Sequence, residues 1–337
     1  MTVINQIPTE RDVKRITAEI DDAVTTIAAV RESIGRVIYG QTLVIDQALI
    51  TILSGGHGLL VGVPGLAKTK LVETMSVVLG LAERRVQFTP DLMPSDILGS
   101  EVLDQSAEGV RSFRFVPGPI FAQLLMADEI NRASPRTQSA LLQAMQEMHI
   151  TVAGRTYDLP SPFHVLATQN PIEQEGTYPL PEAQLDRFLM QIDVHYPDRE
   201  AEYRMLLETT GATQGVAVPV LDAPRLREMQ MLIRRLPIGE MVVKAILDLV
   251  RSARPGEITD RKLAAAIAWG PGPRASQALM LACRARALLD GRYAPSVDDV
   301  VALAVPVLQH RMALSYSARD EDLTIHGVIG DLAAKLG

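Results

Sequence analysis

The spacing of apolar residues predicts two helices before the first strand-like segment of the chain. Apolar residues recur every three, four or seven positions from Val13 to Ile34, which predicts an amphipathic helix over 8–34. A second apolar segment predicts a helix over 41–53, and the pair Gly55-Gly56 marks its end.

Short apolar segments and helical segments then alternate up to residue 194. Strands are predicted over 58–63, 85–88, 123–128, 163–168 and 188–194, with helices over 69–79 and 135–147. Strands that alternate with helices are typical of a parallel sheet covered on both faces, and short continuous apolar runs are typical of its strands. The pattern therefore predicts an α/β domain.

Two segments within this region do not follow the alternation. Residues 100–116 are polar at first and then alternate between polar and apolar, and residues 148–159 alternate on either side of Ala153-Gly154. Alternation about a two-residue turn predicts a β-hairpin. We expect both segments to be insertions carried by the core.

Beyond Tyr196-Pro197 the apolar pattern is helical throughout. Helical segments are predicted over 199–209, 223–235, 239–253, 274–289 and 296–312, and in the tail from Asp320. The chain is therefore predicted to contain an α/β domain followed by an all-helical domain, with the boundary near 196–200. A length of 337 residues suits two such domains.

Composition and charge narrow the classes of function. The formal net charge of −7, from 33 basic and 40 acidic residues, argues against a general nucleic-acid coat, which needs a basic surface. The single cysteine, Cys283, excludes a disulfide within the chain and a multi-cysteine zinc site, and the six histidines lack metal-ligand spacing. Because neither a secretory signal nor an apolar membrane span is visible, the sequence predicts a cytoplasmic protein.

The strongest motif lies between the first predicted strand and the next helix, and it reads GVPGLAKT over 62–69. In a phosphate-binding loop, backbone N–H groups surround phosphate oxygens at the positive end of a helix. Lys68 is predicted to reach the β- and γ-phosphates, and the Thr69 hydroxyl to ligate Mg²⁺. The residues predicted to contact the nucleotide in this segment are Val63, Pro64, Gly65, Leu66, Ala67, Lys68, Thr69 and Lys70.

One position of the loop departs from the usual motif. The glycine that ordinarily precedes the lysine is Ala67 here. Because alanine carries a Cβ, the backbone at this position must adopt a negative φ or tolerate strain. The alternative to a phosphate site is a glycine-containing turn that merely links a strand to a helix.

Two adjacent carboxylates follow the apolar run of the third predicted strand. Asp128 and Glu129 would lie at the carboxyl end of that strand, the edge at which open α/β sheets bind ligands. Asp128 can hold Mg²⁺ directly or through water, and Glu129 can polarise a water for attack on the γ-phosphate. The alternative is an acidic strand end that forms a solvated turn, and the phosphate loop upstream disfavours it.

Three further polar residues are candidates for catalysis. Asn170 follows the fourth predicted strand, and its amide can hydrogen-bond the γ-phosphate and the attacking water, although Asn-Pro turns are common. Arg187 is a candidate arginine finger for a neighbouring subunit's nucleotide, although the helix dipole alone favours arginine at a helix C-terminus. Arg274 is predicted in the first turn of a helix, where a bound anion would offset its unfavourable position. A plain surface arginine is the alternative for Arg274.

The motifs together resemble those of the MoxR family of AAA+ ATPases. The resemblance extends from about residue 35 to about residue 315. It rests on GQ at 40–41, GHGLL at 56–60, GVPGLAKT at 62–69, QFTPDLMPSDILG at 87–99, ADEINRASPRTQSALLQAMQE at 127–147, ATQNP at 167–171, LPEAQLDRF at 180–188 and PRASQAL at 273–279.

The resemblance implies a particular architecture. It implies a five-stranded parallel sheet in the AAA+ order 5-1-4-3-2 and an all-helical lid. An N-terminal helix would occupy 1–34, the α/β core 35–197 and the lid 198–337. Within the core, 100–116 would be the helix-2 insert and 148–159 the pre-sensor-1 hairpin.

The resemblance also implies roles for individual residues. Lys68 and Thr69 would belong to the Walker A motif, and Asp128 and Glu129 to Walker B. The remaining roles are Asn170 as sensor 1, Arg187 as the arginine finger, Arg274 as sensor 2, Arg132 facing the adjacent subunit, and Tyr39, Gly40 and Gln41 near the adenine.

Members of this family are similar to ring-forming, chaperone-like ATPases. The resemblance therefore implies a hexameric homo-oligomer that hydrolyses ATP with Mg²⁺ and remodels a client protein, in maturation or in metal or cofactor insertion. It also implies a separate partner with a von Willebrand factor A (VWA) domain, while the client cannot be read from the sequence. The alternatives are a DNA-acting AAA+ motor, a magnesium-chelatase-like subunit and a non-hydrolysing switch. The acidic net charge and a hairpin in which Arg155 is the single Lys or Arg argue against nucleic acid, and Glu129 argues against a switch.

Overall fold

The elements of the chain are described by a computed structural model that covers residues 10–105, 111–173, 176–211, 215–258, 261–316, 318 and 323–336. In chain order the strands up to residue 194 are β1 (Gly58–Val61), β2 (Glu83–Gln87), β3 (Gly99–Gln105), β4 (Arg111–Pro117), β5 (Leu124–Asp128), β6 (His149–Val152), β7 (Arg155–Asp158), β8 (His164–Gln169) and β9 (Met190–Asp193). The α-helices are α1 (Glu10–Gly35), α2 (Thr42–Leu53), α3 (Lys68–Val78), α4 (Pro94–Leu98), α5 (Pro135–Glu147), α6 (Glu182–Leu185), α7 (Arg199–Thr210), α8 (Ala223–Arg235), α9 (Glu240–Ser252), α10 (Arg261–Ala266), α11 (Pro273–Leu289), α12 (Val297–Leu308) and α13 (Ile325–Ala333).

Five of these strands form one parallel sheet in the order β2-β5-β8-β1-β9. Numbered within this sheet alone and read from the other edge, the order is 5-1-4-3-2. The parallel α/β core predicted from the alternation is therefore confirmed. The carboxyl ends of β1, β5 and β8 meet at one edge of the sheet, since Val61 pairs with Gln169 and Ala127 pairs with Ala167.

The side chains of the sheet divide between two apolar clusters, because successive residues of a strand point to opposite faces. Leu60, Met126 and Ile192 belong to a cluster with residues of α1, α2, α3 and the C-terminal helices. Leu59 and Leu125 belong to a second cluster with residues of α5. Both faces of the sheet are thus covered, and the edge formed by the strand ends is the place for a ligand.

The two segments that interrupt the alternation contain antiparallel hairpins. β6 and β7 pair through a two-residue turn at Ala153 (φ 48°) and Gly154 (φ 79°), and positive φ at both positions is typical of a type I′ turn. The hairpin predicted within 148–159 is therefore confirmed. β3 pairs with β4 within the expected insertion over 100–116, of which 106–110 lie outside the described residues.

The prediction that the C-terminal region is all-helical is wrong in one place. Strand β10 (Ile267–Trp269) pairs antiparallel with strand β11 (Ala313–Leu314), and α10, which was not predicted, precedes them. A three-residue strand is too short to show a periodicity, and its partner lies far along the chain. The helix predicted over 296–312 ends at Leu308, because Gln309–Arg311 form a 3₁₀ turn that leads into β11.

The first and last predicted helices lie near their expected places. α1 begins at the first described residue, and residues 8 and 9 of the prediction lie outside the described part. The helix predicted from Asp320 corresponds to α13, which begins at Ile325. Residues 319–322 lie outside the described part of the chain. Within the described ranges, no helix combines the length and the apolar character that crossing a bilayer requires.

Candidate nucleotide-binding site

The loop between β1 and α3 uses left-handed backbone at two positions. Gly65 has φ 86°, and Ala67 has φ 56° and ψ 22° immediately before α3. A Cβ on Gly62 would lie 2.6 Å from the Val194 carbonyl oxygen, so close packing requires glycine there. Of the two conformations open to Ala67, the chain adopts the strained one, at a cost of about 1–2 kcal/mol.

Lys68, the first residue of α3, folds back onto this loop. Its Nζ donates to the Val63 carbonyl oxygen at 3.0 Å and also to the carbonyl oxygen of Gly62. Partial burial lowers the pKa of Lys68, and the nearby Asp128 and Glu129 carboxylates oppose that shift. A cation at the N-terminus of an eleven-residue helix makes this edge of the sheet attractive to anions.

Asp128 ends β5 and has both carboxylate oxygens engaged. Its Oδ2 accepts a hydrogen bond from Arg85 Nη2 at 2.6 Å, and its Oδ1 accepts one from the Thr168 hydroxyl. Arg85 lies on β2 and Thr168 on β8, the two strands adjacent to β5 in the sheet. The order of strands in the sheet, rather than the order along the chain, supplies these partners.

Glu129 follows in the left-handed conformation, with φ 54° and ψ 51°. Its backbone N–H donates to Thr168 Oγ1 at 2.9 Å, so one hydroxyl contacts both acids. Its Oε2 accepts hydrogen bonds from Gln87 Nε2 at 2.8 Å and from Arg132 Nη1 at 3.2 Å. Backbone and side chain of Glu129 are therefore both held in place.

Asn170 and Arg132 meet at Glu173 beside the acid pair. Asn170 follows β8, its Oδ1 accepts a hydrogen bond from the Ile172 N–H at 3.2 Å, and its Nδ2 lies 3.4 Å from Glu173 Oε2. Arg132 Nη1 lies 3.6 Å from Glu173 Oε1. The resemblance assigned Arg132 to the adjacent subunit, whereas here it pairs with two acids of its own chain, because the 3₁₀ turn after Glu129 directs it back to them.

Two adjoining cavities lie on either side of the loop. The first, of about 420 Å³, is lined by residues 64–70 and by Asp128, Glu129, Thr168 and Asn170. The second, of about 380 Å³, shares Pro64–Ala67 and Lys70 with the first and is also lined by Tyr39, Gln41, Tyr196 and residues of α7. Most of the predicted nucleotide contacts are therefore brought together around one continuous surface.

Gln41 has an unused hydrogen-bonding atom beside the second cavity. Its Nε2 donates to the Leu66 carbonyl oxygen at 3.2 Å, whereas its buried Oε1 has no hydrogen-bond partner among the described residues. A buried polar atom without a partner costs roughly 1–3 kcal/mol. A ligand that carries an amino group, as adenine does, suits this acceptor.

Two of the predicted nucleotide contacts do not line the described cavities. A Cβ on Gly40 would lie 2.1 Å from the Ala201 Cβ, so Gly40 packs against α7. The Val63 side chain packs against the apolar core, and this residue contributes its carbonyl oxygen to Lys68 instead. Both residues shape the site through the backbone.

The structure separates Arg187 and Arg274 from the loop and brings them together. Both border a third cavity, of about 180 Å³, together with Asp186. Arg187 Nη1 donates to the Leu142 carbonyl oxygen, and its buried Nε has no partner among the described residues. Arg274 Nη1 lies 3.7 Å from Asp186 Oδ2. Two arginines beside one carboxylate leave an excess of positive charge, which suits an anion.

Sequence reasoning missed the residues that hold the acid pair, namely Arg85, Gln87 and Thr168. These residues lie on β2 and β8, and only the strand order shows that both strands flank β5. The signal available in the sequence was that Arg85 and Gln87 are polar residues on the same face of β2, and that Thr168 lies two positions before Asn170.

Comparisons with known proteins agree with this geometry. Residues 57–190 match the family described as "ATPase family associated with various cellular activities (AAA)", and residues 261–328 match the AAA lid domain. Chaperone MoxR1 of Mycobacterium tuberculosis is 42% identical over 295 residues, which are 87% of this chain and 77% of that protein. Protein MoxR of Paracoccus denitrificans is 34% identical over 86% of this chain and 90% of that protein. A crystal structure from Cytophaga hutchinsonii has a TM-score of 0.86 and 36% identity, and covers 97% of this chain and 98% of its own.

A phosphate loop and an acid pair on one parallel sheet, followed by a lid, define an AAA+ ATPase. Within that class, the chain belongs to the MoxR family. The resemblance drawn from the motifs is therefore confirmed, and with it the expectation that the protein hydrolyses ATP.

Proposed function

We propose that ATP lies across the first two cavities, with its phosphates against residues 64–70 and its base beside Tyr39 and Gln41. The observation that carries this proposal is the cavity of about 420 Å³ that the loop and both acids share. The N-terminus of α3 and the Lys68 ammonium supply the positive charge that a triphosphate needs. Gln41 Oε1, which has no hydrogen-bond partner in the part of the chain that the structure describes, supports a base with an amino group.

The acids and their neighbours take the hydrolytic roles. Thr69 Oγ1 and Asp128 would hold Mg²⁺, an ion that is usually bound through few protein oxygens. The ion, when bound, neutralises charge on the β- and γ-phosphates. Glu129 accepts a hydrogen bond from the attacking water, and the Asn170 amide orients that water.

Arg187 and Arg274 act, in this proposal, on the ATP of a neighbouring copy within a homo-oligomeric ring, a hexamer. Both arginines border the cavity of about 180 Å³, and neither is among the residues that line the phosphate cavity. An arginine placed at a transferring phosphoryl group stabilises the charge that develops there. Excess positive charge away from the chain's own loop supports a role toward a second chain.

Hydrolysis, we propose, drives the remodelling of a client protein. Family membership and the name of one relative, Chaperone MoxR1, support this role. The family resemblance adds a separate VWA-domain partner and a task in maturation or in metal or cofactor insertion. Affinity capture with a Glu129→Gln variant and ATP tests the proposal, because a stalled motor retains its client. Recovery of a VWA-domain protein together with a client is expected, and recovery of neither would contradict it.

The Glu129→Gln variant also tests the hydrolytic assignment itself. Turnover should fall by at least about 100-fold, because a general base is lost, while ATP binding is retained. Phosphate release and equilibrium binding of a fluorescent ATP analogue measure the two properties. Glu240→Gln, at an exposed glutamate of α9, is the matched control and should keep its turnover. Undiminished turnover in Glu129→Gln would reject the role.

A further inference from the structure

A buried arginine of the C-terminal region holds the segment that carries Arg187. Arg311 lies in the 3₁₀ turn after α12, and its side chain is only 2% exposed. Its guanidinium donates to Asp186 Oδ1 at 2.7 Å, Asp186 O at 3.3 Å, Phe188 O at 2.6 Å, Leu189 O at 3.1 Å and Val307 O. All but the last of these acceptors belong to the α/β core.

The two residues before Arg311 contribute to the same junction. His310 Nε2 donates to the Phe188 carbonyl oxygen at 3.0 Å, and Gln309 Nε2 donates to the Gln191 carbonyl oxygen at 3.1 Å. Burial lowers the pKa of His310 well below its ordinary value, so the ring is neutral at pH 7. Three consecutive residues thus fasten the C-terminal region to the core segment that leads into β9.

Stability alone does not account for this arrangement. Removing a guanidinium from water costs several kcal/mol, and burial lowers the pKa of Arg311 while Asp186 opposes that shift. Well-packed apolar residues would stabilise such a junction at least as well as a buried ion pair. The planar fork of arginine does what apolar residues cannot, since it fixes the direction of several carbonyl groups at once.

Asp186 connects Arg311 to the cavity of about 180 Å³ that Arg187 and Arg274 border. Its Oδ1 accepts the hydrogen bond from Arg311, and its Oδ2 lies 3.7 Å from Arg274 Nη1. Asp186 is also the residue immediately before Arg187, whose Nη1 donates to the Leu142 carbonyl oxygen. A movement of Asp186 therefore moves both arginines of the cavity.

We propose that Arg311 is a positioning residue through which the lid, here the C-terminal region from residue 198, sets the place of Arg187 and Arg274. The inference rests on the proposed function, since it takes Arg187 to act on the ATP of a neighbouring copy. A misplacement of about 1 Å can cost on the order of 100-fold in rate. The bond between Arg311 and Asp186 therefore controls hydrolysis in the neighbouring copy rather than in its own.

Mixed assemblies of two variants distinguish an effect on the ATP site of the neighbouring copy from an effect on the chain's own ATP site. A donor with Glu129→Gln cannot hydrolyse its own ATP but offers Arg187, and an acceptor with Arg187→Ala keeps its acids but offers no finger. When equal amounts are mixed, acceptor sites should hydrolyse ATP with the donor's arginine. Asp186→Asn, which keeps the shape of the side chain and removes its charge, is then placed in the donor or in the acceptor.

Asp186→Asn in the donor should lower the rate of ATP hydrolysis by the mixture at least about ten-fold more than Asp186→Asn in the acceptor. Arg311→Lys, which keeps the charge and loses the fork, should give the same asymmetry. Equal losses from the two placements would overturn the proposal, because a merely structural role weakens both alike. Gln230→Leu removes two other contacts between lid and core, from Nε2 to the Ile52 carbonyl oxygen and to His164 Nε2, and should affect both placements equally.

The same assay distinguishes failure of this inference from failure of the proposed function. If donor and acceptor are inactive alone and stay inactive when mixed, the role of Arg187 toward a neighbour is wrong, and the inference falls with it. If mixing restores hydrolysis but the asymmetry is missing, only the positioning role of Arg311 is wrong. Thermal unfolding of each variant verifies that it is folded, and Arg311→Lys carries the test if Asp186→Asn is not.

Discussion

Two regions of this chain are built in opposite ways. The loop edge consists of residues 64–70 with Asp128 and Glu129, and the junction consists of Arg187, Arg274, Arg311 and Asp186. At the loop edge, Lys68 at the start of α3 and the acids Asp128 and Glu129 at the end of β5 line one cavity, so charges of both signs face it. At the junction, Arg274 and Arg311 both pair with the Asp186 carboxylate, and Arg187 borders the same cavity as Arg274. We propose that the loop edge binds a nucleotide and Mg²⁺, whereas the junction carries an excess of positive charge.

The difference in charge between the two regions indicates how the copies of the proposed ring would share the catalytic groups. In the proposed function, one chain by itself can hold a nucleotide at its loop edge, and the arginines that stabilise the transition state come from a second copy. Loss of the cation at the loop edge, Lys68, should therefore remove binding. Damage to the junction should remove turnover and leave binding in place.

The largest effect expected at the junction is that of Arg187→Ala. Turnover should fall by about 1,000-fold, since an arginine finger stabilises charge that develops only in the transition state. ATP affinity should be retained, because Arg187 does not line the phosphate cavity of its own chain. Phosphate release and equilibrium binding measure the two, with Arg227→Ala at an exposed position of α8 as control. If Arg187→Ala also lost ATP affinity, the separation of ATP binding at the loop edge from turnover at the junction would be contradicted.

A smaller effect is expected at the loop edge from Thr168→Val. The substitution keeps the shape of the side chain and removes the hydroxyl that contacts both Asp128 and Glu129. Turnover should fall by about ten-fold and the free energy of unfolding by about 2 kcal/mol, because buried polar groups lose a partner. Steady-state assays and urea unfolding measure the changes.

The matched control for that variant is Thr51→Val. Thr51 is fully buried, and its hydroxyl donates to the Gln47 carbonyl oxygen at 2.8 Å, away from the site. It should lose stability and keep its turnover. Full turnover in Thr168→Val would show that the hydroxyl does not position the acids.

Acid should weaken the structure around three buried histidines. Burial lowers the pKa of His57 to about 3 and that of His164 to about 4, and it also lowers the pKa of His310. The unfolded chain, with histidine pKa near 6.5, then binds more protons than the folded chain as the pH falls. The free energy of unfolding should be highest above about pH 6.5 and should fall progressively towards about pH 4.

Urea unfolding at a series of pH values measures this slope. His310 lies at the junction, so a His310→Asn variant should show a shallower dependence on pH than the unmodified chain. Stability that stays constant as the pH falls from about 6.5 to about 4.5 would contradict the neutral buried histidines.

The smallest effect is expected from relief of backbone strain in the loop. Ala67→Gly should raise the free energy of unfolding by less than about 1 kcal/mol, because glycine adopts φ 56° without strain but loses more entropy on folding. Gly65→Ala, at φ 86°, should lower it, and the pair makes a matched comparison in thermal unfolding. If both variants lost stability, Ala67 would not be strained.

Local chemistry explains why part of the site was predictable from sequence. The segment over 62–69 and the pair Asp128-Glu129 are contiguous in the chain, and each carries its own signal of charge, glycine and strand context. The sheet was predictable for a similar reason, since alternating strands and helices leave a repeated pattern.

The remaining features depend on contacts between distant parts of the chain. Arg85 reaches Asp128 only because β2 and β5 are neighbours in the sheet. Arg311 lies 125 residues beyond Asp186, and no periodicity marks a buried arginine at the end of a helix. The pairing of β10 with β11 is likewise long-range and too short to leave a pattern.

The most direct test is equilibrium binding of ATP with Mg²⁺ to the unmodified chain, to Lys68→Ala and to Arg187→Ala. We expect Lys68→Ala to bind at least about 100-fold more weakly, since it loses the charged donor at the phosphates, and Arg187→Ala to bind as the unmodified chain does. Lys68→Ala with undiminished affinity, or a loss of affinity confined to Arg187→Ala, would contradict a nucleotide site at residues 64–70.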